Sequence, residues 1–217
     1  GLGFDIGVFL NIGRDHISPV EHPDFDDYFA SKLRLFDQAR VAVVNLDSDH
    51  LDEILARAGR CERVLRFSAA GASGADVRAT DIAPSLGRVR FTAHTPTWEG
   101  PVELGMPGLF NVDNALAVIA VCEALGTPAA QIARGLAAAR VPGRMELICP
   151  PDGGEKVMAL VDYAHNKLSY QRFFPSVTQE FPGWRVIALF GAPGGKCYER
   201  RRELPEEAAR WADYLIY

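Results

Sequence analysis

Short apolar runs and longer amphipathic stretches alternate along residues 4–59. Residues 4–10 (FDIGVFL) form a run with aromatic and β-branched members, which predicts a buried strand. The stretch NIGRDHISPVEHPD is polar and holds two prolines, so it predicts a loop. Asp24 or Asp26 stands where a cap belongs for a helix running to about Gln38. Residues 40–46 predict a second buried strand; Ser48 or Asp49 is placed to cap the next helix, which Gly59 ends. Residues 62–105 change to short alternating runs such as RVRFTAHT, broken by Gly and Pro, which predict antiparallel hairpins. Helices are expected over 111–125, apolar on nearly every turn, and from Pro128 to about Arg140. After Val141-Pro142-Gly143 the rhythm restarts: a strand at 157–161, a helix from Lys167 to about Gln179, a strand at 185–190, a helix at 203–212 and a strand from Tyr214. The expectation is an α/β protein: residues 1–142 forming a mostly parallel sheet with an antiparallel hairpin region, residues 143–217 a second, smaller α/β unit.

Composition narrows the function classes. Hydrophobic residues make up 48% and charged residues 24%, which excludes whole-chain disorder, collagen and coiled coil. No uninterrupted apolar run reaches the roughly 18 residues of a membrane helix. A net charge of −5 lacks the basic excess of a nucleic-acid binder. Cys61, Cys122, Cys149 and Cys197 form no C-x-x-C pair, so free thiols in a reducing compartment are expected. No signal-peptide pattern opens the chain, which begins inside a strand-like run and is read as a fragment.

Five places carry candidate chemistry. Lys32 lies three residues after Phe29 and four after Tyr28, on the apolar stripe of its helix. Either its stem lies on the core edge with the ammonium in water, or desolvation keeps the amine neutral, nucleophilic and able to take up carbon dioxide as a carbamate. His16, in Asn11-Ile-Gly-Arg-Asp15-His16, is a loop histidine bonded to its neighbours or a metal ligand oriented by Asp15. Asn111 sits at an N-cap position, whereas Asn114, inside the first turn of an apolar helix, needs a partner for its amide, and an adenine edge would supply one. Arg144 stands at the boundary and Asp162 and His165 at a strand end. They suit an inter-domain salt bridge and a helix cap, or phosphate and ribose contacts. Phe190-Gly-Ala-Pro-Gly-Gly-Lys196 follows a strand but lacks the glycine and the Ser/Thr of a phosphate loop.

In order, NxxxDH, YFxxK, GxFNxxNALA, PGRME, VDYAH and the last glycine loop resemble the Mur ligases, and within them the UDP-N-acetylmuramoyl-tripeptide synthetases, across essentially the whole chain. The resemblance implies a central ATP-binding domain over 1–142 and a Rossmann-like C-terminal domain over 143–217, each incomplete. It implies that Lys32 is carbamylated and, with His16, holds magnesium. Asn111 and Asn114 would lie by adenine, Arg144 on the phosphates, Asp162 on the ribose and His165 beside the nucleotide. The implied reaction is cytoplasmic. ATP phosphorylates the carboxylate of a UDP-N-acetylmuramoyl peptide, and the amino group of an amino acid attacks the acyl phosphate. Lys196 replaces the arginine of diaminopimelate-adding members, which leaves lysine or another amine open, and the family's phosphate loop would precede Gly1, so the fragment alone is expected to be inactive. A folate-glutamylating relative and a Mur-like nucleotide-binding partner module without ligation are the alternatives.

Overall fold

The computed structural model describes all residues except 1, 15, 18–20, 86, 149–156, 193, 195 and 196. Strands β1 (Phe4–Phe9), β2 (Ala39–Asn45) and β3 (Arg63–Ser68) lie parallel, with Val8 opposite Val43 and Val43 opposite Leu65. Successive side chains of β2 go to opposite faces. Val43 joins a core with Leu65, Phe67, Leu116 and Ile119; Ala42 and Val44 join another with Phe29, Phe36 and Ile54. This burial on both faces makes the segment an unbroken apolar run rather than an alternation.

Helix α1 (Phe25–Leu33) is capped by Asp24, whose carboxylate accepts the Asp27 amide at 2.8 Å. It ends short of Gln38: Arg34–Asp37 tighten into a 3₁₀ turn that buries Phe36. Helix α2 (Leu51–Ala58) is entered through His50 in a left-handed conformation (φ 57°), not through a Ser48 or Asp49 cap. The Ser48 hydroxyl instead donates to the Asp49 carbonyl at 3.1 Å.

Strand β4 (Val77–Ser85) is parallel to β3, and only from there do antiparallel partners follow, β5 (Arg88–His94) and β6 (Glu99–Leu104). The expected hairpins over 62–105 therefore start at β4, and β3 belongs to the parallel sheet. The reason is Asp47, just after β2. Its carboxylate accepts the amides of Ala69 (2.7 Å) and Ala70 (3.0 Å) and the Ser68 hydroxyl (2.7 Å), and residues 69–76 link two parallel strands without a helix. Strand β6 is a rim of the six-stranded sheet. It carries Pro101, which has no amide hydrogen, and Glu103, whose carboxyl is held below its ordinary range by hydrogen bonds from Arg90 and Arg88.

Helix α3 (Asn111–Ala124) covers β2, β3 and β4, and α4 (Ala129–Ala138) runs along β6. The close approach of α4 requires Gly105, because a Cβ there would run into the Ala137 carbonyl oxygen.

Beyond α4, β7 (Glu146–Ile148) pairs antiparallel with β8 (Ala159–Val161). Helices α5 (Lys167–Glu180) and α6 (Arg200–Ala208) accompany a parallel pair, β9 (Ile187–Leu189) and β10 (Tyr214–Ile216). β7 was not expected, β8 and β9 are shorter than the predicted 157–161 and 185–190, and α6 sits earlier than 203–212. A three-residue strand leaves no periodicity to read, and the polar Arg200-Arg-Arg start of α6 shows no apolar stripe. Asn166 caps α5 in a reciprocal box with Ser169. Among the described residues no helix is long and apolar enough to cross a membrane. The chain is thus a mixed α/β protein, its main sheet mostly parallel with an antiparallel flank.

Tyr170, Phe174, Leu204 and Ala208 form the small core between α5 and α6. Burial pushes the Tyr170 phenol up to about 12, with a smaller push from Tyr217. The folded chain therefore keeps a proton that the unfolded chain releases near pH 10. The contribution is intact below that pH and is lost as pH rises through about 12. Urea unfolding at stepped alkaline pH is expected to show a steeper loss of stability in the wild type than in Tyr170→Phe.

Candidate nucleotide and metal site

Two cavities meet at the carboxyl end of β1. One, of about 510 Å³, is lined by Asn111 and Asn114 from α3, by Arg144 from the turn before β7, and by Asp162, Tyr163 and His165 after β8. The other, of about 630 Å³, is lined by residues 8–12 and by Tyr28, Ser31 and Lys32 of α1. Asn11 lines both.

The asparagine pair is held from within. Asn111 is buried; its Nδ2 donates to the Pro107 carbonyl at 2.7 Å and its Oδ1 accepts from Asn114 Nδ2 at 2.9 Å. The N-cap expected at Asn111 is not observed, whereas the amide partner expected for Asn114 is, on Asn111. Asn111 is the first helical residue and Phe110 the cap position, and Asn114 is exposed at the cavity rather than enclosed in the helix packing. The amide of Asn114 keeps its carbonyl oxygen toward any partner, because only its NH₂ is used by Asn111. The turn entering α3 depends on Gly108 at φ +96°, where a Cβ would press on Asn111 Nδ2 and Met145.

Opposite the pair, Arg144 lays its guanidinium over the Tyr163 ring, 4.6 Å from the centroid, and the His165 ring stands 4.7 Å from the same ring. His165 Nδ1 is within 2.7 Å of the Tyr163 carbonyl, which fixes it as the protonated nitrogen. Asp162 does not cap α5, which Asn166 does. Its carboxylate accepts the amides of Met145 (2.8 Å) and Ala164 (2.7 Å), tying the turn that carries Arg144 to the end of β8. A carboxylate has lone pairs beyond those two bonds for a hydroxyl partner. No ion pair ties Arg144 across the boundary among the described residues; stacking on Tyr163 holds it instead.

At the other cavity Lys32 is exposed, not desolvated, with its ammonium 5.3 Å from the centre of the Tyr28 ring. The apolar stripe is real, since Tyr28 and Phe29 are buried, but the lysine lies at its margin. His16 packs against the same ring at 5.8 Å, and its Nδ1 lies 2.9 Å from Glu21 Oε1. Tyr28 thus gathers His16 and Lys32 onto one ring. Among the described residues no group of three or more His, Cys, Asp or Glu is arranged to hold a metal ion. An imidazole and an ammonium alone do not suit a hard metal ion that prefers oxygen ligands; a carbamate on Lys32 would turn its ammonium into such a ligand. Asp15 and Lys196 lie outside the described residues.

Asn11, Tyr163 and Arg172 line the 510 Å³ cavity without having been singled out. Asn11 and Tyr163 stand inside the two quoted strand-end motifs. Arg172 left no signal of its own.

Residues 1–122 match the family described as the Mur ligase middle domain. The UDP-N-acetylmuramoyl-L-alanyl-D-glutamate–L-lysine ligase of Streptococcus sanguinis is 38% identical over 203 residues, 94% of this chain and 39% of that protein. The enzyme of the same name from Enterococcus faecalis is 33% identical, over 99% of this chain and 42% of that protein. The crystal structure of MurF from Acinetobacter baumannii superposes with a TM-score of 0.80 at 26% identity, over 97% of this chain and 46% of that one. The chain spans about two-fifths of the length of the two lysine ligases. With more than half its residues matched to the middle domain and at least 94% of its length aligned to each of the two lysine ligases, the chain belongs to the Mur ligase family.

Proposed function

We propose that the protein carrying this chain is an ATP-dependent ligase that adds L-lysine to UDP-N-acetylmuramoyl-L-alanyl-D-glutamate in the cytoplasm. The observation that supports it best is the convergence of Asn111, Asn114, Arg144, Asp162 and His165 on one cavity that shares Asn11 with the cavity of Lys32. On this reading residues 1–142 are the central domain and 143–217 the start of the C-terminal one. Asn114, steadied by Asn111, offers its carbonyl to the adenine amino group. Asp162 accepts from the ribose, His165 flanks it, and Arg144, aimed by Tyr163, meets the phosphates. Magnesium, when bound, supplies positive charge beside the terminal phosphate, and His16 with a carbamate on Lys32 would hold it.

Transfer of that phosphate to the substrate carboxylate gives an acyl phosphate. ADP is released in that transfer; the neutral lysine amine then attacks the carbonyl carbon, a tetrahedral intermediate forms, inorganic phosphate departs with the electron pair of the C–O bond, and the nitrogen gives up a proton to leave the amide. The fixed cations lower the barrier by meeting charge where it builds. Lysine as the incoming amine rests on the names of the two relatives; Lys196, in place of the arginine of diaminopimelate-adding members, argues against diaminopimelate and leaves other amines open.

The test is release of ADP and phosphate by the intact protein. Release is expected only when the muramoyl dipeptide and L-lysine are both present. Turnover with diaminopimelate instead would replace the amine, and turnover with folate and glutamate would replace the whole assignment.

A further inference from the structure

Helix α3 has no side-chain cap of its own. The Gly108 and Leu109 amides, just before its first turn, lie outside the helix's own ladder and need acceptors. They find them on another helix. Glu180 of α5 accepts from the Gly108 amide at 2.9 Å and the Leu109 amide at 3.0 Å. Ser176 Oγ accepts from the Leu109 amide at 2.7 Å and donates to Glu180 Oε1 at 2.6 Å. One turn earlier, Arg172 stands 3.5 Å from Asp113 in the first turn of α3.

The spacing 172, 176, 180 puts these three side chains on one stripe of α5. The stripe has a single target, the entrance to α3, which holds Asn111 and Asn114. Beside it, Phe173 and Arg172 themselves line the 510 Å³ cavity. A carboxylate at the start of a helix also meets the positive end of its dipole, which strengthens the contact. The two walls of the cavity come from either side of residue 143, so its width depends on what fastens α5 to α3.

We infer that Arg172, Ser176 and Glu180 are positioning residues: a polar clasp on α5 that seats the entrance of α3 and thereby sets Asn111 and Asn114 opposite Arg144, Asp162 and His165. The inference rests on the nucleotide reading of that cavity. None of the three needs to touch the nucleotide for the clasp to act.

The intact protein with ADP as probe gives the test. Glu180→Ala is expected to weaken ADP binding about tenfold, the loss of a charged hydrogen-bond acceptor. KM for ATP should rise with it while KM for the muramoyl peptide stays put, a split that general loosening would not produce. Glu180→Gln, which keeps one carbonyl oxygen, should recover part of the affinity, and Ser176→Ala should fall between. Hydrogen exchange read without nucleotide should show the Gly108 and Leu109 amides protected in the wild type and open in Glu180→Ala. Unchanged ADP affinity in Glu180→Ala and Ser176→Ala, equal rises in both KM values, or free exchange of those amides in the wild type would overturn the clasp. A wild-type protein that binds no ADP would instead overturn the nucleotide reading.

Discussion

Replacing Lys32 with Ala in the intact protein is expected to cut ligation on the order of a thousandfold, the scale of removing a charge that stabilises the transition state. ADP affinity should stay within about threefold, because the side chain lines the cavity of α1 and not that of the asparagine pair. Lys32→Arg separates chemistry from packing. Arginine keeps a cation over Tyr28, so a role limited to that stacking contact would survive the change. A guanidinium, always protonated, forms no carbamate, and ligation should stay lost. Rates from single-turnover phosphate release, together with ADP titrations, decide the matter. Full activity in Lys32→Arg would leave the lysine a structural cation and remove it from the metal site.

Leu116→Ala is expected to cost about 3–5 kcal/mol of folding stability. Leu116 is fully buried in the core that joins α3 to the sheet, packed in one cluster with Val43, Phe67 and Ile119. Close packing there leaves little for the neighbours to do but line a void. Urea unfolding measures the loss. The same variant, below its transition, should still bind ADP, since the clasp from α5 and not the sheet alone seats the start of α3.

The sequence spoke clearly where one physical cause acts locally. Asp24 caps α1 because a short side chain before an amphipathic run has few other uses, and the buried β2 announced itself through Ala42-Val-Val44. It was silent where long-range contacts decide. Nothing near Arg63–Ser68 says that Asp47 will turn the chain into a parallel partner. The sequence shows that the Asn114 amide needs a partner, but not that Asn111 of the same turn supplies it while the side chain stays exposed at the cavity. For Lys32 the spacing allows an ammonium either in water or desolvated, and only the fold decides: it touches the Tyr28 ring and stays exposed. The candidate residues were legible as motifs; that five of them line one cavity needed the fold. The stripe on α5 left no signal, because Arg172, Ser176 and Glu180 carry meaning only with α3 in place.

The β6 rim of the main sheet is guarded. There Pro101 withholds a donor and the Glu103 carboxylate is engaged by Arg88 and Arg90. Strand addition is therefore blunted at β6, against a folding partner and an aggregating neighbour alike.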